Sequence, residues 1–310
     1  MRARALVERA RTLPAFGRAS RPRRQARNRA SEGVQVTEPT DLHEHLIDIV
    51  GRSGDAILEV YATDFEVTGK ADNSPLTQAD LAAHRVIAEG LAERDPTTPI
   101  ISEESDPPPF AERRHWQRCW LVDPLDGTRE FVNRNGEFTV NIALIEDGVP
   151  TLGVVGVPVQ QRIFLGDCNP ARHAAYVVEA SGRHELRTRP YSPPGITVVA
   201  SRSHGGTRLE AWLQTLATTF GEVHRTPVGS SLKFCLLAEG RADFYPRLGP
   251  TSEWDIAAAS AVLAAAGGIV RQFDGTPVPY NAKESFLNPE FYAAADASHP
   301  WQKHLPPLPR

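Results

Sequence analysis

The chain has 310 residues, of which 41% are apolar and 23% charged, the profile of a globular protein with room for a sizeable core. No stretch approaches the roughly 18 consecutive apolar residues of a spanning helix, which excludes a membrane-embedded body. Residues 1–40 hold ten arginines, no lysine and three acids (Glu8, Glu32, Glu38), which leaves 24 basic and 35 acidic residues, a net −11, on the remainder. An acidic body argues against nucleic acid as its main ligand, and a polyanionic substrate would need metal cations beside it.

Cys119, Cys168 and Cys235 are odd in number, widely spaced and without a Cys-x-x-Cys pair. That pattern excludes a disulfide framework and a zinc site and suits a reducing cytoplasm. Cys119 and Cys235 read as small buried hydrophobes. The arginine-rich segment 1–40 reads as a disordered extension. A basic arm for anionic lipid or nucleic acid, an organellar transit peptide, and a translation start near Val36 are the alternatives.

Residues 41–61 place Leu42, Leu46, Ile47, Val50, Ala56, Ile57 and Val60 at helical spacing, with Asp41 as N-cap. Residues 65–68 read as a short strand. Thr77 caps a helix through about residue 91, with Leu81, Val86, Ile87 and Leu91 inward. The runs 100–101 and 119–122 read as buried strands that deliver Glu103 and Asp123 at their C-terminal ends. Residues 138–145 and 151–157 flank Glu146-Asp147-Gly148, a hairpin signal. Strands at 162–166, 175–179 and 197–200, helices at 206–218, 230–239 and 255–266, and a strand at 242–245 follow. The alternation predicts a layered α/β (α+β) architecture. Its expected division is a metal-binding half at 41–190 and a half at 191–310 that completes the substrate site.

The string Asp123-Pro124-Leu125-Asp126-Gly127-Thr128 leaves an apolar strand and turns sharply, because proline fixes one backbone angle and glycine permits a tight reversal. Two carboxylates, a carbonyl and a hydroxyl then form an all-oxygen site suited to Mg²⁺ rather than zinc. In Ser102-Glu103-Glu104-Ser105 one glutamate is a further ligand candidate. Asp255 opens an alanine-rich helix, either as N-cap or as a ligand. Asp80, three residues after Thr77, is either part of a capping box or a general base.

These strings, with Trp254-Asp255, resemble the signatures of the inositol monophosphatase superfamily, lithium-sensitive Mg²⁺-dependent phosphatases with an αβαβα sandwich of the inositol monophosphatase and fructose-1,6-bisphosphatase type. The agreement runs from about Asp41 to Phe291. Within the superfamily the chain most resembles the CysQ-type 3′(2′),5′-bisphosphate nucleotidases, on Ser74–Asp80, Ser201-Arg202-Ser203-His204, Ser230–Cys235, Tyr245-Pro246-Arg247 and Lys283–Pro289. The resemblance implies that Glu103, Asp123, Asp126, Asp255 and the Leu125 carbonyl hold two or three Mg²⁺ ions. It implies that Asp80 and Thr128 form the dyad that deprotonates the attacking water. His204, Ser230, Lys233 and Arg247 match contacts to the phosphates and sugar of a nucleotide, alongside Glu103, Leu125, Asp126, Gly127, Thr128 and Asp255. A substrate with two phosphates needs cations beyond the metals, and Lys233 and Arg247 are the available pair.

The expected reaction is hydrolysis of adenosine 3′,5′-bisphosphate to AMP and phosphate, extending to 3′-phosphoadenylyl sulfate. Inositol monophosphatase and fructose-1,6-bisphosphatase activity are the alternatives within the class. A nucleotide- or RNA-binding module with a vestigial metal site is the alternative outside it. The extension at 1–40 and the loop Asp106–Pro109 fall outside the resemblance.

Overall fold

The computed structural model describes residues 39–63, 75–201 and 206–309. The segment 1–38, the expected strand at 65–68, Ser74 and the Arg202-Ser203-His204 string lie outside the described residues.

The first helix, α1 (Asp41–Tyr61), matches its expected bounds, but its cap is Thr40 rather than Asp41. Thr40 Oγ1 accepts the His43 N–H at 3.3 Å, and His43 Nδ1 lies 3.4 Å from the Thr40 N–H, a reciprocal capping box. The second helix, α2 (Pro75–Arg94), starts before Thr77, which therefore sits inside the first turn instead of capping it. Its buried stripe is Ala79, Ala83, Ile87 and Leu91, while Leu81 is 43% exposed. A residue two places off a stripe with four-residue spacing points to the opposite face of the helix, so Leu81 cannot join it.

Seven strands follow in one sheet ordered as in the chain: β1 (Ile100–Ser102), β2 (Arg118–Asp126), β3 (Thr139–Glu146), β4 (Val149–Val157), β5 (Arg162–Asp167), β6 (Ala174–Glu179) and β7 (Gly182–Glu185). Only β1 and β2 are parallel in this sheet. The β3–β4 hairpin closes on Asp147 (φ 49°) and Gly148 (φ 75°), the two left-handed residues that a right-twisted hairpin favours. The second sheet holds β8 (Ile196–Ala200), β9 (Val223–Pro227), β10 (Phe244–Arg247), β11 (Ile269–Gln272) and β12 (Phe291–Ala294) in the order β11-β12-β10-β8-β9. The remaining helices are α3 (Phe110–Arg113), α4 (Thr128–Val132), α5 (Gly206–Phe220), α6 (Leu232–Ala238) and α7 (Glu253–Ala265).

Strand side chains alternate between faces, and that period sorts them into three cores. Trp120 and Val122 pack with Leu46, Ile49 and Ile87 under α1 and α2. Leu121 faces the other way, toward Leu232, Phe234, Ile256 and Val262 of α6 and α7, as do Val199, Tyr245 and Phe291 from the second sheet. Val198, Phe244 and Tyr292 meet Trp212 and Leu216 of α5 on the outer side. The layers are therefore helix, sheet, helix, sheet, helix, the αβαβα sandwich that the sequence led us to expect.

A lane of small residues crosses the first sheet, because Ala143, Gly153, Gly166 and Ala175 are successive cross-strand partners. The alanine-rich α7 lies directly on it. A Cβ at Gly153 would stand 2.1 Å from the Ala258 carbonyl oxygen, and one at Gly166 2.4 Å from Val262 Cα. Backbone contact of this kind sets the height and position of the helix that carries Asp255. Cys119 and Cys235 are buried in the central core, as expected. Among the described residues no helix is long and apolar enough to cross a membrane.

Candidate metal centre and substrate cleft

The parallel pairing of β1 with β2 sets Ser102 opposite Val122, so both strands end at the same edge. The Glu103 N–H donates to the Val122 carbonyl at 3.1 Å, which brings Glu103 beside Asp123. Between Asp123 and Asp126 the ladder to β3 is interrupted, since Pro124 has no N–H to donate and Leu125 N–H turns instead to Asp123 Oδ1 at 3.0 Å. Gly127 reverses the chain at φ 102°, a conformation that costs glycine little. Asp255 arrives from the central layer. The cap of α7 is Ser252, not Asp255. Asp255 is the third residue of the helix, and its Oδ2 accepts the Ser252 N–H at 2.9 Å. One carboxylate oxygen from each of Glu103, Asp123 and Asp255 lies within 4.8 Å of the other two.

Packing acids this closely raises them all. Asp123 is pushed well above the usual carboxylate range by burial and by Asp126, Glu103, Asp255 and Asp80. Burial and Asp255 push Asp126 up to about 7, against Lys233 and the Ser231 N–H, which pull it down. Asp255 rises to about 6 through burial and Glu103, with the Ser252 N–H opposing. Glu103 is raised by burial, Asp126 and Glu104. Such a cluster of mutually repelling oxygens, with no histidine or cysteine among them, fits a hard cation such as Mg²⁺.

A cleft of about 340 Å³ opens beside these acids, and Glu103, Asp123, Leu125, Asp126, Gly127, Thr128, Ser230, Lys233, Arg247 and Asp255 all line it. Ser230 precedes α6 in a left-handed conformation (φ 44°) and is not part of that helix, contrary to the expected start at 230. Lys233 is 4% exposed, so its ammonium stands inside the protein and not on its surface. Its Nζ donates to the Ser230 carbonyl at 2.5 Å and the Val228 carbonyl at 3.3 Å, and it sits 5.3 Å from the Tyr245 ring centre. Burial lowers it to about 8 against the pull of Asp126. The Arg247 guanidinium is steered by the Gly249 (3.1 Å) and Pro250 (2.5 Å) carbonyls. His204 lies outside the described residues.

Asp80 does not line the cleft. Burial, then Glu104 and Glu103, push its carboxyl up to about 8. One turn on, His84 Nδ1 lies 2.9 Å from Ser102 Oγ and docks α2 against the end of β1. Several contributors escaped the sequence reading. Ser231 donates its N–H to Asp126 Oδ2 (2.6 Å) and its Oγ to Asn141 Oδ1 (2.7 Å), joining the two halves of the site. Arg129 also lines the cleft, exposed, and its guanidinium has no partner among the described residues. Its position next to Thr128 was the one available signal. Ser231 had only its adjacency to Ser230.

A family profile described as the inositol monophosphatase family matches residues 38–304. The 3′(2′),5′-bisphosphate nucleotidase CysQ of Escherichia coli K12 is 50% identical over 250 residues, covering 80% of this chain and 97% of that protein. The protein of the same description from Buchnera aphidicola is 39% identical over 257 residues, 81% and 93% of the two chains. The crystal structure of CysQ from Bacteroides thetaiotaomicron superposes with a TM-score of 0.75 at 39% identity, covering 82% of this chain and 97% of that one. An inositol monophosphatase from Zymomonas mobilis, 23% identical, shares the fold with a TM-score of 0.68 over 86% and 99% of the chains. With the sandwich, the acidic edge and matches spanning nearly the whole described body, the chain belongs to the inositol monophosphatase family.

Proposed function

We propose that the protein is a Mg²⁺-dependent phosphatase that hydrolyses adenosine 3′,5′-bisphosphate to AMP and phosphate, with 3′-phosphoadenylyl sulfate as a second substrate. The observation that carries this reading is one cleft lined both by the carboxylates Glu103, Asp123, Asp126, Glu130 and Asp255 and by the cations Lys233, Arg247 and Arg129. A monophosphate ester needs only the acids and their metal; a second phosphate gives the arginines a partner. The relatives at about 50% identity are 3′(2′),5′-bisphosphate nucleotidases, which supports the same substrate class.

Glu103, Asp123, Asp126, Asp255 and the Leu125 carbonyl would hold the Mg²⁺ ions. Bound there, the ions would neutralise the phosphate and lower the pKa of a coordinated water. Thr128 orients the attacking water, and the proton passes through its hydroxyl to an Asp80 carboxylate oxygen. Asp80 is raised partly by Glu104 and Glu103. Burial is the largest cause and stays; neutralising Glu103 by bound metal would remove one of the smaller ones and bring Asp80 nearer the range of a base. Arg129 and Arg247 hold the phosphate that is not cleaved, while the buried Lys233 balances Asp126 and fixes the Ser230 turn.

Phosphate release from a panel of adenosine 3′,5′-bisphosphate, inositol 1-phosphate and fructose 1,6-bisphosphate, with Mg²⁺ and with or without Li⁺, tests the reading. The bisphosphate nucleotide is the expected best substrate. Faster turnover of inositol 1-phosphate overturns the assignment.

A further inference from the structure

The string Lys283–Pro289, one of those on which the resemblance to bisphosphate nucleotidases rests, contributes no residue to the lining of the cleft. It lies instead against the first turn of α7, the turn that carries Asp255. The Phe286 carbonyl accepts the Glu253 N–H (2.9 Å), and Asn288 N–H donates to the Thr251 carbonyl (2.7 Å). Asn288 Nδ2 donates to the Ser252 carbonyl at 2.7 Å and to Thr251 Oγ1 at 3.1 Å. Three backbone groups at the helix start, the Thr251 and Ser252 carbonyls and the Glu253 N–H, are thereby held from outside.

Behind this contact is a buried charge network. Glu253 is fully buried, with Oε1 accepting from Lys283 Nζ (2.6 Å) and Oε2 from the Asn281 N–H (2.6 Å). Asn281, in the left-handed conformation that asparagine tolerates better than most residues (φ 49°), exchanges two bonds with Arg113, one through each side-chain atom. The Arg113 guanidinium, also buried, donates to the Lys283 and Glu284 carbonyls at 3.0 and 2.6 Å and stacks 4.1 Å from the Phe286 ring centre. Lys283 keeps about a third of its side chain exposed (32%) and Arg113 Nε is buried without a partner among the described residues, so the network adds little net stability and is better suited to specifying one geometry.

We propose that the segment 281–288, anchored by Arg113 and by the Glu253–Lys283 pair, is a positioning clamp for Asp255. The chain of contact runs from the clamp to Ser252, and from the Ser252 N–H to Asp255 Oδ2, a bond that fixes a carboxylate with one oxygen within 4.8 Å of oxygens of Glu103 and Asp123. The inference rests on the reading of Asp255 as a metal ligand. Groups that orient a ligand in this way typically change metal affinity by about 10–100-fold when removed.

The test compares the wild type with Lys283→Met, Lys283→Arg and Asn288→Ala, measuring Mg²⁺ binding to the metal-free proteins by calorimetry and nucleotide KM at saturating Mg²⁺. The expected result is an Mg²⁺ dissociation constant raised about tenfold in Lys283→Met and Asn288→Ala, a KM within twofold of wild type, and Lys283→Arg closer to wild type than Lys283→Met. Should Lys283→Met not fold, Asn288→Ala decides, because it leaves the Glu253–Lys283 pair intact. Wild-type Mg²⁺ affinity in the folded variants overturns the clamp, as does a raised KM with unchanged metal affinity, which would make the segment a substrate surface. Absence of Mg²⁺ binding by the wild type itself instead overturns the metal-site reading, and the clamp with it.

Discussion

Gly153→Ala tests whether the small-residue lane sets the active-site geometry. The added methyl would lie 2.1 Å from the Ala258 carbonyl oxygen, where real Cβ atoms essentially never come within 3.0 Å of a neighbour. Since the obstruction is helix backbone and not a movable side chain tip, α7 must lift by about 0.9 Å. Overpacking of this kind costs about 2 kcal/mol, a Tm fall of about 4–8 °C in a chain of this size. The lift also carries Asp255 away from Glu103 and Asp123, and misplacement on that scale lowers kcat/KM by about 100-fold. Gly51→Ala is the control: in the middle of α1, its methyl meets nothing nearer than Ile163 Cδ1 at 3.9 Å. Removing a helix-interior glycine there should stabilise by roughly 0.5–1 kcal/mol and leave turnover unchanged. Scanning fluorimetry and phosphate release read both effects. A Gly153→Ala protein with wild-type Tm and kcat/KM refutes the argument that α7 is seated by backbone contact.

The raised carboxyls predict a pH-dependent response to metal. Asp126 and Asp255 titrate near 7 and 6 in the folded metal-free protein, against 3.8 ordinarily. Acids whose folded value is raised favour folding most below their unfolded value, and that stability is lost as pH climbs through the folded value. The metal-free protein therefore loses stability between about pH 4 and pH 7 on account of these groups, and the Tm gain on adding Mg²⁺ should grow from pH 5 to pH 8. Equal gains at both pH values contradict this. For Arg129, exposed and unpaired among the described residues, Arg129→Ala should raise KM for adenosine 3′,5′-bisphosphate about tenfold and leave KM for adenosine 3′-monophosphate within twofold. A parallel rise on both substrates would assign Arg129 to the phosphate that is cleaved.

Much of the architecture was legible from the chain alone. Apolar runs such as Trp120-Leu121-Val122 and the helical stripe of α1 are local patterns, and both hold in the fold. Strands without such a pattern were missed. β9 is mostly exposed and β11 only partly buried throughout, so neither writes an apolar alternation into its residues. Leu81 was misassigned for a related reason: α2 is so short of large apolar residues that alanines make its buried stripe, and a lone leucine reads as inward when it is not.

The acidic string at 123–128 pointed by itself to a divalent-metal site, since two carboxylates, a carbonyl and a hydroxyl converge at one turn. The sequence could not say that Lys233, spaced to face Ser230, is buried with its ammonium on two carbonyls, or that Arg129 stands at the cleft unpaired among the described residues. Nor could it show that Lys283–Pro289 bears on Asp255 rather than on the substrate. Spacing along the chain reports which residues share a face; burial and partners are settled by elements distant in sequence. Asp123 and Asp126 were local enough to read directly. Joining Glu103 and Asp255 to them took a parallel strand register and a helix resting on two glycines, which only the tertiary structure supplies.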